Sequence, residues 1–439
     1  MDKFFEPGML IYLVPVFLIW GIHLGRRALR NRRSIAVRDR AIRDGMTEPA
    51  SLHPIINHNR CIGCGSCVKA CPEQPGHHVL GLINEKSNLI NPTDCIGHGA
   101  CLTACPADAI TLVFGTETRG LDIPIVNPNF ETDVPGIFIA GELGGMGLIR
   151  NAIEQGRQAI ENIAKMDGTG KGKKFDVLIV GAGPAGFSAT LSAMEQKLRV
   201  KTIEQDSLGG TVFQYPRGKV VMTSPVKLPL VGSVKFKETT KEDLLSFWQG
   251  VERDKKVKIS YKERVETIKA CKEGFEVKTT KETYKTGAVL LSIGRRGTPR
   301  KLGVPGEDMP KVVYRLIDPE QYRGKRVLVV GGGDSALEAA TSIANEPDTK
   351  VTLSYRSEAF SRAKQKNREL IKKASGEGLV DLLMKSNVKS IAGESVEVEH
   401  GGKLLKLDND AVIVSAGGIL PTAFLKDIGI TVETKYGAA

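Results

Sequence analysis

Cysteine is almost confined to one short part of this 439-residue chain, and its scarcity elsewhere excludes one kind of chemistry. Seven of the eight cysteines lie between residues 61 and 105, and Cys271 stands alone among charged residues. No other thiol lies near Cys271 in sequence, so we expect it to be structural. Disulfide exchange needs a thiolate that attacks a second sulfur, and residues 106–439 contain no pair of cysteines for it.

Acidic residues are scarce in one segment, and this explains most of the net charge of +12. Residues 26–43 hold eight arginines against a single acid, Asp39, and so supply +7 of that charge. A charge concentrated in one short segment, rather than spread over a domain surface, does not predict a nucleic-acid partner.

Long apolar runs are also scarce: one uncharged stretch, Gly8 to Gly25, directly precedes the arginines. Its length is near the lower limit for a helix that crosses a bilayer. Arginines that follow a span mark its cytoplasmic side. The sequence therefore predicts a single-pass transmembrane helix at residues 1–25 of the cell inner membrane, with the N-terminus outside, a basic juxtamembrane linker at 26–55 and a cytoplasmic body. A helix that lies in the membrane interface is the alternative.

The cysteine-rich segment contains two runs of nearly the same spacing. They read Cys61-x2-Cys64-x2-Cys67-x3-Cys71-Pro72 and Cys95-x2-His98-x2-Cys101-x3-Cys105-Pro106. This is the spacing of a bacterial two-cluster ferredoxin, in which the fourth cysteine of each run binds the cluster of the other run. The predicted ligands of cluster I are Cys61, Cys64, Cys67 and Cys105. The predicted ligands of cluster II are Cys71, Cys95, His98 and Cys101.

Other readings of these runs fit less well. A doubled 2-2-3 run that ends in Cys-Pro is not zinc spacing, and a disulfide framework needs an oxidising compartment. His98 stands where a cysteine is expected, which leaves open ligation by imidazole, a [3Fe-4S] cluster without that ligand, or a water ligand with His98 behind it. Ligation is favoured because histidine is a competent iron ligand, and it would raise the reduction potential of a [4Fe-4S] cluster by removing a negative charge.

A dinucleotide-binding fingerprint follows an apolar, β-rich run at residues 175–180. The glycine turn reads Gly181-Ala182-Gly183-Pro184-Ala185-Gly186, and a helical pattern and a second strand that ends at Glu204 come after it. The glycines let the backbone approach a pyrophosphate at the helix N-terminus, and the acid accepts hydrogen bonds from a ribose.

A second fingerprint follows a predicted strand at residues 325–330. The turn reads Gly331-Gly332-Gly333-Asp334-Ser335-Ala336, but the next strand ends in Tyr355-Arg356 instead of an acid, with Arg362 and Lys364 close behind. An arginine suits a 2′-phosphate, so NADP is favoured over NAD, and a solvated basic surface is the alternative. Two fingerprints in one chain predict one tightly held FAD and one exchangeable NADP(H).

Residues 175–439 resemble the thioredoxin-reductase-like flavoproteins, which include ferredoxin–NADP reductases and bacillithiol-disulfide reductases. The pieces that match besides the two turns are Gly209-Gly210, Tyr215-Pro216-Arg217, Ser292-Ile293-Gly294, Gly303-Val-Pro-Gly-Glu307, Tyr355-Arg356 and Ser415-Ala-Gly417. The resemblance implies an α/β fold with two Rossmann-like domains, for FAD and NADP, and a homodimer. It does not carry over disulfide chemistry, because Ala185 stands in the turn where bacillithiol-disulfide reductases are expected to have a cysteine.

The order of segments departs from that family. There the chain continues, after a segment like residues 425–436, into a Gly-Asp motif and a last helix that touch the flavin. Here a similar segment lies ahead of the first fingerprint: it runs from Asn127 to Gly141-Glu142, and a predicted helix at 147–165 follows. The sequence thus predicts a circular permutation in which a polar linker joins the old ends, with Glu142 in place of the family's aspartate.

The predicted domain order follows from these motifs. After the anchor and basic linker come an α+β dicluster ferredoxin domain at 56–112, a permuted FAD-domain segment at 113–166, a linker at 167–174, the FAD domain at 175–297, the NADP domain at 298–417, and a return to the FAD domain at 418–439.

The predicted function is a membrane-anchored NAD(P)H-dependent oxidoreductase, similar to ferredoxin–NADP reductases. Electrons would pass between NADP(H), FAD, two [4Fe-4S] clusters and a membrane partner, such as a cytochrome or a quinone-reactive subunit. No catalytic side chain is predicted, because flavin and clusters carry the chemistry. The alternative is a non-catalytic electron-relay subunit of a larger membrane complex.

Overall fold

The computed structural model describes residues 7–437, apart from 50–51, 75–77, 118–119, 146, 168, 170–174, 223–224, 236–237, 296, 298 and 362, and apart from the side chains of 7–11, 220, 222 and 238. Arg362 and most of the predicted linker at 167–174 therefore lie outside the described residues. The chain divides into two compact units, Met1–Thr118 with Gly437–Ala439, and Arg119–Tyr436. The finer predicted domain boundaries stay predictions.

The first unit is the predicted α+β module behind a long helix. Its elements in chain order are α1 (Pro7–Arg43), β1 (His53–Ile56), α2 (Ser66–Ala70), β2 (Leu80–Ile83), β3 (Lys86–Leu89), α3 (Ala100–Thr103) and β4 (Ile110–Val113). Strand β1 pairs antiparallel with β4, and β2 pairs antiparallel with β3. Its core joins Val79, Leu80 and Ile110 to cysteines of both runs.

Helix α1 extends beyond the predicted span and continues without a break through the arginine-rich segment to Arg43. Within the described ranges, no helix has both the length and the mean hydropathy needed to cross a bilayer. The predicted transmembrane helix is therefore not found there.

The second unit begins with a dinucleotide-binding sheet. Its first elements are β5 (Leu121–Pro124), β6 (Ile137–Ile139), α4 (Ile149–Ile163), β7 (Phe175–Val180), α5 (Pro184–Glu195), β8 (Val200–Ile203), β9 (Val220–Met222), β10 (Val226–Leu228), β11 (Gly232–Val234), β12 (Glu238–Thr240), α6 (Lys241–Asp254), β13 (Ile259–Ser260), β14 (Val265–Cys271), β15 (Gly274–Thr279) and β16 (Thr283–Leu291). Strands run parallel in the order β13-β8-β7-β16-β6, and the antiparallel strands β15 and β14 extend the sheet from β16.

The apolar run of β7 is buried over almost its full length, as expected of a parallel strand covered on both faces. Helix α4 buries residues 152, 153, 156, 159, 160 and 163, a helical spacing that gives it one apolar face. That face packs with α5 into a shared core that contains Phe138, Ile160 and Ile179.

The rest of the second unit carries the other predicted sheet. Its elements are β17 (Val312–Val313), β18 (Arg326–Val330), α7 (Asp334–Ala344), β19 (Lys350–Tyr355), α8 (Gln365–Gly376), β20 (Val380–Met384), β21 (Ser386–Ile391), β22 (Ser395–His400), β23 (Lys403–Asp408), β24 (Ala411–Val414), α9 (Thr422–Asp427) and β25 (Val432–Lys435). The order β17-β24-β18-β19-β20 is parallel throughout, and β21-β22-β23 form a separate antiparallel sheet. Strand β25 returns to pair antiparallel with β5.

Candidate cluster and dinucleotide sites

Two cavities in the first unit collect the predicted cluster ligands in two groups of four. The first is lined by Cys61, Cys64, Cys67 and Cys105. The second is lined by Cys71, Cys95, His98 and Cys101. Pairing of β1 with β4, continued by a hydrogen bond from Asn57 N to Ala109 O at 2.7 Å, brings the end of the second run to the first. The fourth cysteine of each run thus lines the cavity of the other run, where the sequence predicts it to be a ligand.

Thiolates with one imidazole are a donor set that iron–sulfur clusters use. Among the described residues, no three His, Cys, Asp or Glu side chains are gathered closely enough to hold one bare ion. Each ligand of a four-iron cluster binds a different iron, so its ligands surround a larger body than a single ion. All eight cysteines are free thiols, which cluster binding requires.

Hydrogen-bond donors surround the sulfurs of the first cavity. The Ser87 N–H donates to Cys61 Sγ at 3.4 Å, and the Ser87 hydroxyl lies 3.1 Å from Cys67 Sγ. The Ala109 N–H donates to Cys105 Sγ at 3.4 Å. The Ser66 hydroxyl lies 3.4 Å from Cys64 Sγ, and this contact lowers the pKa of the Cys64 thiol. Such contacts stabilise negative charge on a thiolate.

The second cavity is more sheltered. Burial raises the pKa of the Cys95 and Cys101 thiols to about 11. Burial also lowers the pKa of His98, which favours the neutral imidazole that binds metals. Ligation by His98 stays a prediction.

The first glycine turn forms a close backbone cradle. Gly181 has φ +101°, and a Cβ there would lie 2.6 Å from the carbonyl oxygen of Ser292. A Cβ on Gly186 would collide with the carbonyl oxygen of Gly181, so both positions need glycine. This turn leaves the N-terminus of α5, which begins at Pro184 and Ala185, next to the carboxyl end of β7. A pyrophosphate fits such a site.

Glu204 lies beside this turn. The Ala182 N–H donates to its Oε2 at 2.7 Å and the Asp206 N–H to its Oε1 at 2.8 Å. Burial raises the pKa of Glu204. Gly209 and Gly210 lie close to the turn as well, since Gly209 N donates to Ala182 O at 2.9 Å and a Cβ on Gly210 would lie 3.1 Å from Gly183 Cα. These predicted site residues therefore share one cradle, and they fit the adenosine part of FAD.

The segment that precedes the fingerprint in sequence lies against it in space. The Gly141 N–H donates to Gln155 Oε1 at 2.8 Å, and a Cβ on Gly141 would lie 3.0 Å from Ala185 Cβ. Glu142 begins a 3₁₀ turn that ends at Gly144. Gly294 follows β16 at the same end of the sheet, and the Ser292 hydroxyl before it donates to Val180 O at 2.9 Å.

The second glycine turn has the same architecture with a different side-chain environment. Gly331 and Gly333 precede α7, whose first residues are Asp334, Ser335 and Ala336. A Cβ on Gly331 would collide with the carbonyl oxygen of Ser415. Asp334 Oδ1 accepts hydrogen bonds from Lys364 N at 2.8 Å and Asn367 Nδ2 at 2.7 Å. No sequence motif marks Asn367, since its role depends on α8 packing beside α7.

Aromatic and basic side chains follow strand β19. The Tyr355 ring lies against Gly332 and stacks on Phe360 with ring centroids 5.4 Å apart. Arg356 is exposed and forms no ion pair with any described residue. A nicotinamide dinucleotide would be held by the turn and by such a cation.

Two dinucleotide-binding sheets built on parallel strands, together with two cavities that each collect four predicted ligands, define an FAD- and NAD(P)-dependent oxidoreductase with an iron–sulfur domain. Residues 178–438 match the family model described as pyridine nucleotide-disulphide oxidoreductase, and residues 53–106 match the model of a 4Fe-4S dicluster domain. The chain belongs to the pyridine nucleotide-disulphide oxidoreductase family and carries a 4Fe-4S dicluster domain.

Relatives in this family match the flavoprotein part of the chain. A ferredoxin–NADP reductase of Ignicoccus hospitalis is 29% identical over 268 residues, which cover 59% of this chain and 83% of its own. A bacilliredoxin reductase of Bacillus subtilis is 27% identical over 267 residues, which cover 59% and 82%. The solved bacillithiol disulfide reductase of Bacillus cereus is 25% identical with a TM-score of 0.54, over 60% of this chain and 83% of that protein.

Proposed function

We propose that this chain is an NADP(H)-dependent oxidoreductase whose built-in dicluster domain exchanges electrons with a membrane redox partner. Two cavities with four ligands each, in a chain with two glycine turns on parallel sheets, support this function most directly. Flavin converts the two-electron chemistry of nicotinamide into the one-electron chemistry of clusters. Because the dicluster domain belongs to the same chain, transfer needs no captured ferredoxin.

A preference for NADP over NAD rests on Arg356. This exposed arginine follows β19 at the position where an acid would bind a free ribose 2′-hydroxyl. Names of relatives that pair ferredoxin with NADP support the same choice.

The electron acceptor is proposed to be a cluster rather than a disulfide. The glycine turn beside the flavin site carries the buried Ala185 instead of a thiol, and Cys271 lies at the end of β14 as the one cysteine outside the two runs. Without a reactive thiol near the turn, disulfide exchange lacks its nucleophile.

We also propose that the flavoprotein is circularly permuted. Strand β6 pairs with β16, and α4 packs on α5, although both precede the fingerprint in sequence. The register of β25 on β5 aligns Lys435 with Leu121, so residues 436 and 120 stand where a hairpin would join them. The collinear match to a relative covers 83% of that relative, which leaves a part for the segment placed earlier here.

Membrane association is proposed for α1, on the cytoplasmic face of the inner membrane. Its side chains from Tyr12 to Trp20 are exposed and apolar apart from the tyrosine hydroxyl, and the arginine-rich segment follows. Apolar side chains with adjacent arginines suit an anionic membrane surface. The proposed partner is a cytochrome or a quinone-reactive protein in that membrane.

An anaerobic titration tests the enzymatic part of this function. NADPH added to the purified holoprotein should bleach the flavin absorbance and then produce the EPR signals of reduced clusters. The control is NADH at the same concentration, which should act more slowly. A flavin that stays oxidised with both nucleotides would contradict the oxidoreductase function.

A relay subunit with a non-functional nicotinamide site is the second candidate. The Asp334 carboxylate at the start of α7 favours it, because a negative charge at a helix N-terminus opposes a pyrophosphate there. In that case reduced ferredoxin-type donors should reduce the clusters while NADPH leaves them oxidised.

A further inference from the structure

Helix α1 has two halves with different surroundings. From Tyr12 to Arg26 the helix is exposed on every face, and Trp20 is 58% exposed. Beyond that point Arg27, Asn31, Ser34 and Ala41 are sheltered. Their spacing of four, three and seven residues gives one helical face. The second half is therefore packed along one side, and the first half is packed along none.

The sheltered face contacts the turn between β2 and β3. The Asn84 N–H donates to Asn31 Oδ1 at 2.8 Å, and Arg27 pairs with Glu85. A Cβ on Gly81 would lie 2.6 Å from Ser34 Oγ, so α1 and β2 approach closely. The turn Asn84–Glu85 thus holds α1 just after its exposed apolar half.

The same turn also contacts the first cysteine run. A Cβ on Gly63 would collide with the carbonyl oxygen of Glu85, and Lys86 Nζ donates to Cys61 O at 2.6 Å. The next residue, Ser87, contacts the Cys61 and Cys67 sulfurs. One short turn therefore links α1 to the cavity of cluster I. Since a helix rises about 1.5 Å per residue, Trp20 lies roughly 10 Å along the axis from Arg27.

The most exposed residues of the two cavities line that of cluster I, although Cys67 there is as buried as Cys101 in the other cavity. Cys64 is exposed, and Ile62, which lines this cavity, is 69% exposed. Cys71 and Cys101 in the other cavity are buried. Electron transfer to an outside molecule needs a cluster that the molecule can approach.

We propose that cluster I passes electrons to the external acceptor, and that an anionic phospholipid bilayer docks against the exposed half of α1 and brings this acceptor to it. This inference rests on the proposed membrane association. Tyr12 and Trp20 suit the interface, and the arginines after Gly25 complement anionic headgroups. A [4Fe-4S] cluster held by Cys61, Cys64, Cys67 and Cys105 would lose one electron in each transfer, and the acceptor would gain it. A quinone acceptor would take two such electrons and two protons from water.

Paramagnetic relaxation measures which cluster faces the bilayer. The reduced holoprotein is bound to phosphatidylglycerol–phosphatidylcholine vesicles that contain a gadolinium-chelating lipid, and the EPR relaxation of each cluster is recorded. His98→Cys assigns the signals, because His98 lines the cavity of cluster II and its substitution should change the signal of that cluster. We expect a several-fold larger relaxation enhancement for cluster I. An equal or larger enhancement for cluster II would overturn the assignment.

Vesicle binding is tested separately with paired substitutions. The double variant Phe17→Glu/Trp20→Glu should no longer sediment with vesicles. Leu404→Glu, at a side chain that is 59% exposed in the other unit, should sediment like wild type. Binding by the double variant would overturn docking through α1. If wild type binds no vesicles but is an oligomer, and the double variant is a monomer, this surface would be assigned to a second copy of the chain instead.

A water-soluble gadolinium chelate, added without vesicles, tests the choice of cluster I separately from the proposed membrane association. If wild type binds no vesicles, the proposed membrane association fails, and cluster I should still relax more than cluster II in this assay. If cluster II relaxes more, the choice of cluster I fails whatever the vesicles show.

A proline substitution in α1 tests whether this helix positions cluster I near the bilayer. Ala28→Pro breaks the helix between the apolar half and Asn31, so vesicle binding should persist while the enhancement at cluster I falls. Ala28→Ser is the matched control and should behave like wild type. An undiminished enhancement in the proline variant would refute the positioning role of α1.

Discussion

Ser87 lies in β3, almost fully buried, and contacts two cysteines of one cavity through its N–H and its hydroxyl. A hydrogen-bond donor that points at a ligand sulfur stabilises the reduced form of a cluster more than the oxidised form, because the reduced form carries more negative charge. The reduction potential of cluster I should therefore depend on this one serine.

Replacement of Ser87 by alanine removes the hydroxyl and keeps the backbone donor. A hydrogen bond is worth about 0.5–1.5 kcal/mol, so the midpoint potential of cluster I should fall by on the order of 50 mV. An EPR-monitored redox titration measures it. Ser66→Ala is the control: water can replace the Ser66 hydroxyl at the exposed Cys64, so a smaller shift is expected. Equal shifts in both variants would contradict a special role for Ser87.

His98 is the one non-cysteine side chain among the eight predicted ligands. The variant His98→Cys would replace a neutral imidazole by a thiolate and add a negative charge. The midpoint potential of cluster II should fall, by on the order of 100 mV, while that of cluster I stays the same. The same titration measures both. Unchanged potentials for every cluster would contradict ligation by His98.

Helices α4 and α5 approach each other closely at Gly156, and this contact between two elements positions the first glycine turn. A Cβ on Gly156 would collide with the carbonyl oxygen of Ala185, and Ala185 lies in the glycine turn. Because a carbonyl oxygen of the backbone cannot turn aside, α4 must move away or the turn must shift. The approach of α4 thus fixes the turn that would hold FAD.

Substitution of Gly156 by alanine should therefore loosen this site. We expect a loss of roughly 1–3 kcal/mol in unfolding free energy and a weaker hold on FAD. Denaturant unfolding and the amount of flavin retained after gel filtration measure these effects. The control is Gly250→Ala in α6, where a Cβ meets no atom within 4 Å and should stabilise the helix by about 0.5–1 kcal/mol. Full flavin retention in Gly156→Ala would contradict the role of this contact.

The order of segments matters at the scale of the whole molecule. The second unit takes β5, β6 and α4 from residues before the fingerprint and β25 from residues far after it. Strand pairing depends on where segments lie in space, and not on the order in which the chain supplies them. The same flavoprotein should therefore form from a different order.

A rearranged flavoprotein tests this directly. Residues 175–436 followed by residues 120–167, with a short turn between 436 and 120, should fold and retain FAD. Flavin absorbance after gel filtration and the thermal unfolding midpoint are the measurements. Residues 175–436 alone lack β6 and α4 and should lose FAD. A rearranged chain that behaves no better than this truncated one would contradict the permutation.

Motif spacing predicted most of what lies around the two sites. The cysteine runs indicated which four residues share each cavity, because in this spacing the fourth cysteine of one run is a ligand of the cluster of the other run. The glycine turns indicated where backbone must approach backbone. The end of α1 was not predictable from hydropathy, because arginines end an apolar run without ending a helix. Ser87 and Asn367 carried no signal either, since each acts through a neighbour brought close by another element.

The sequence by itself determined the family, the two dinucleotide turns and the eight candidate cluster ligands, because these depend on residue type and short spacing. Only the tertiary structure decided which side chains surround them: the β2–β3 turn that joins α1 to the first cavity, the Tyr355 ring on Gly332, and α4 against the first glycine turn. Such contacts join residues far apart in the chain. Their presence depends on how whole elements pack, and local spacing does not encode that packing.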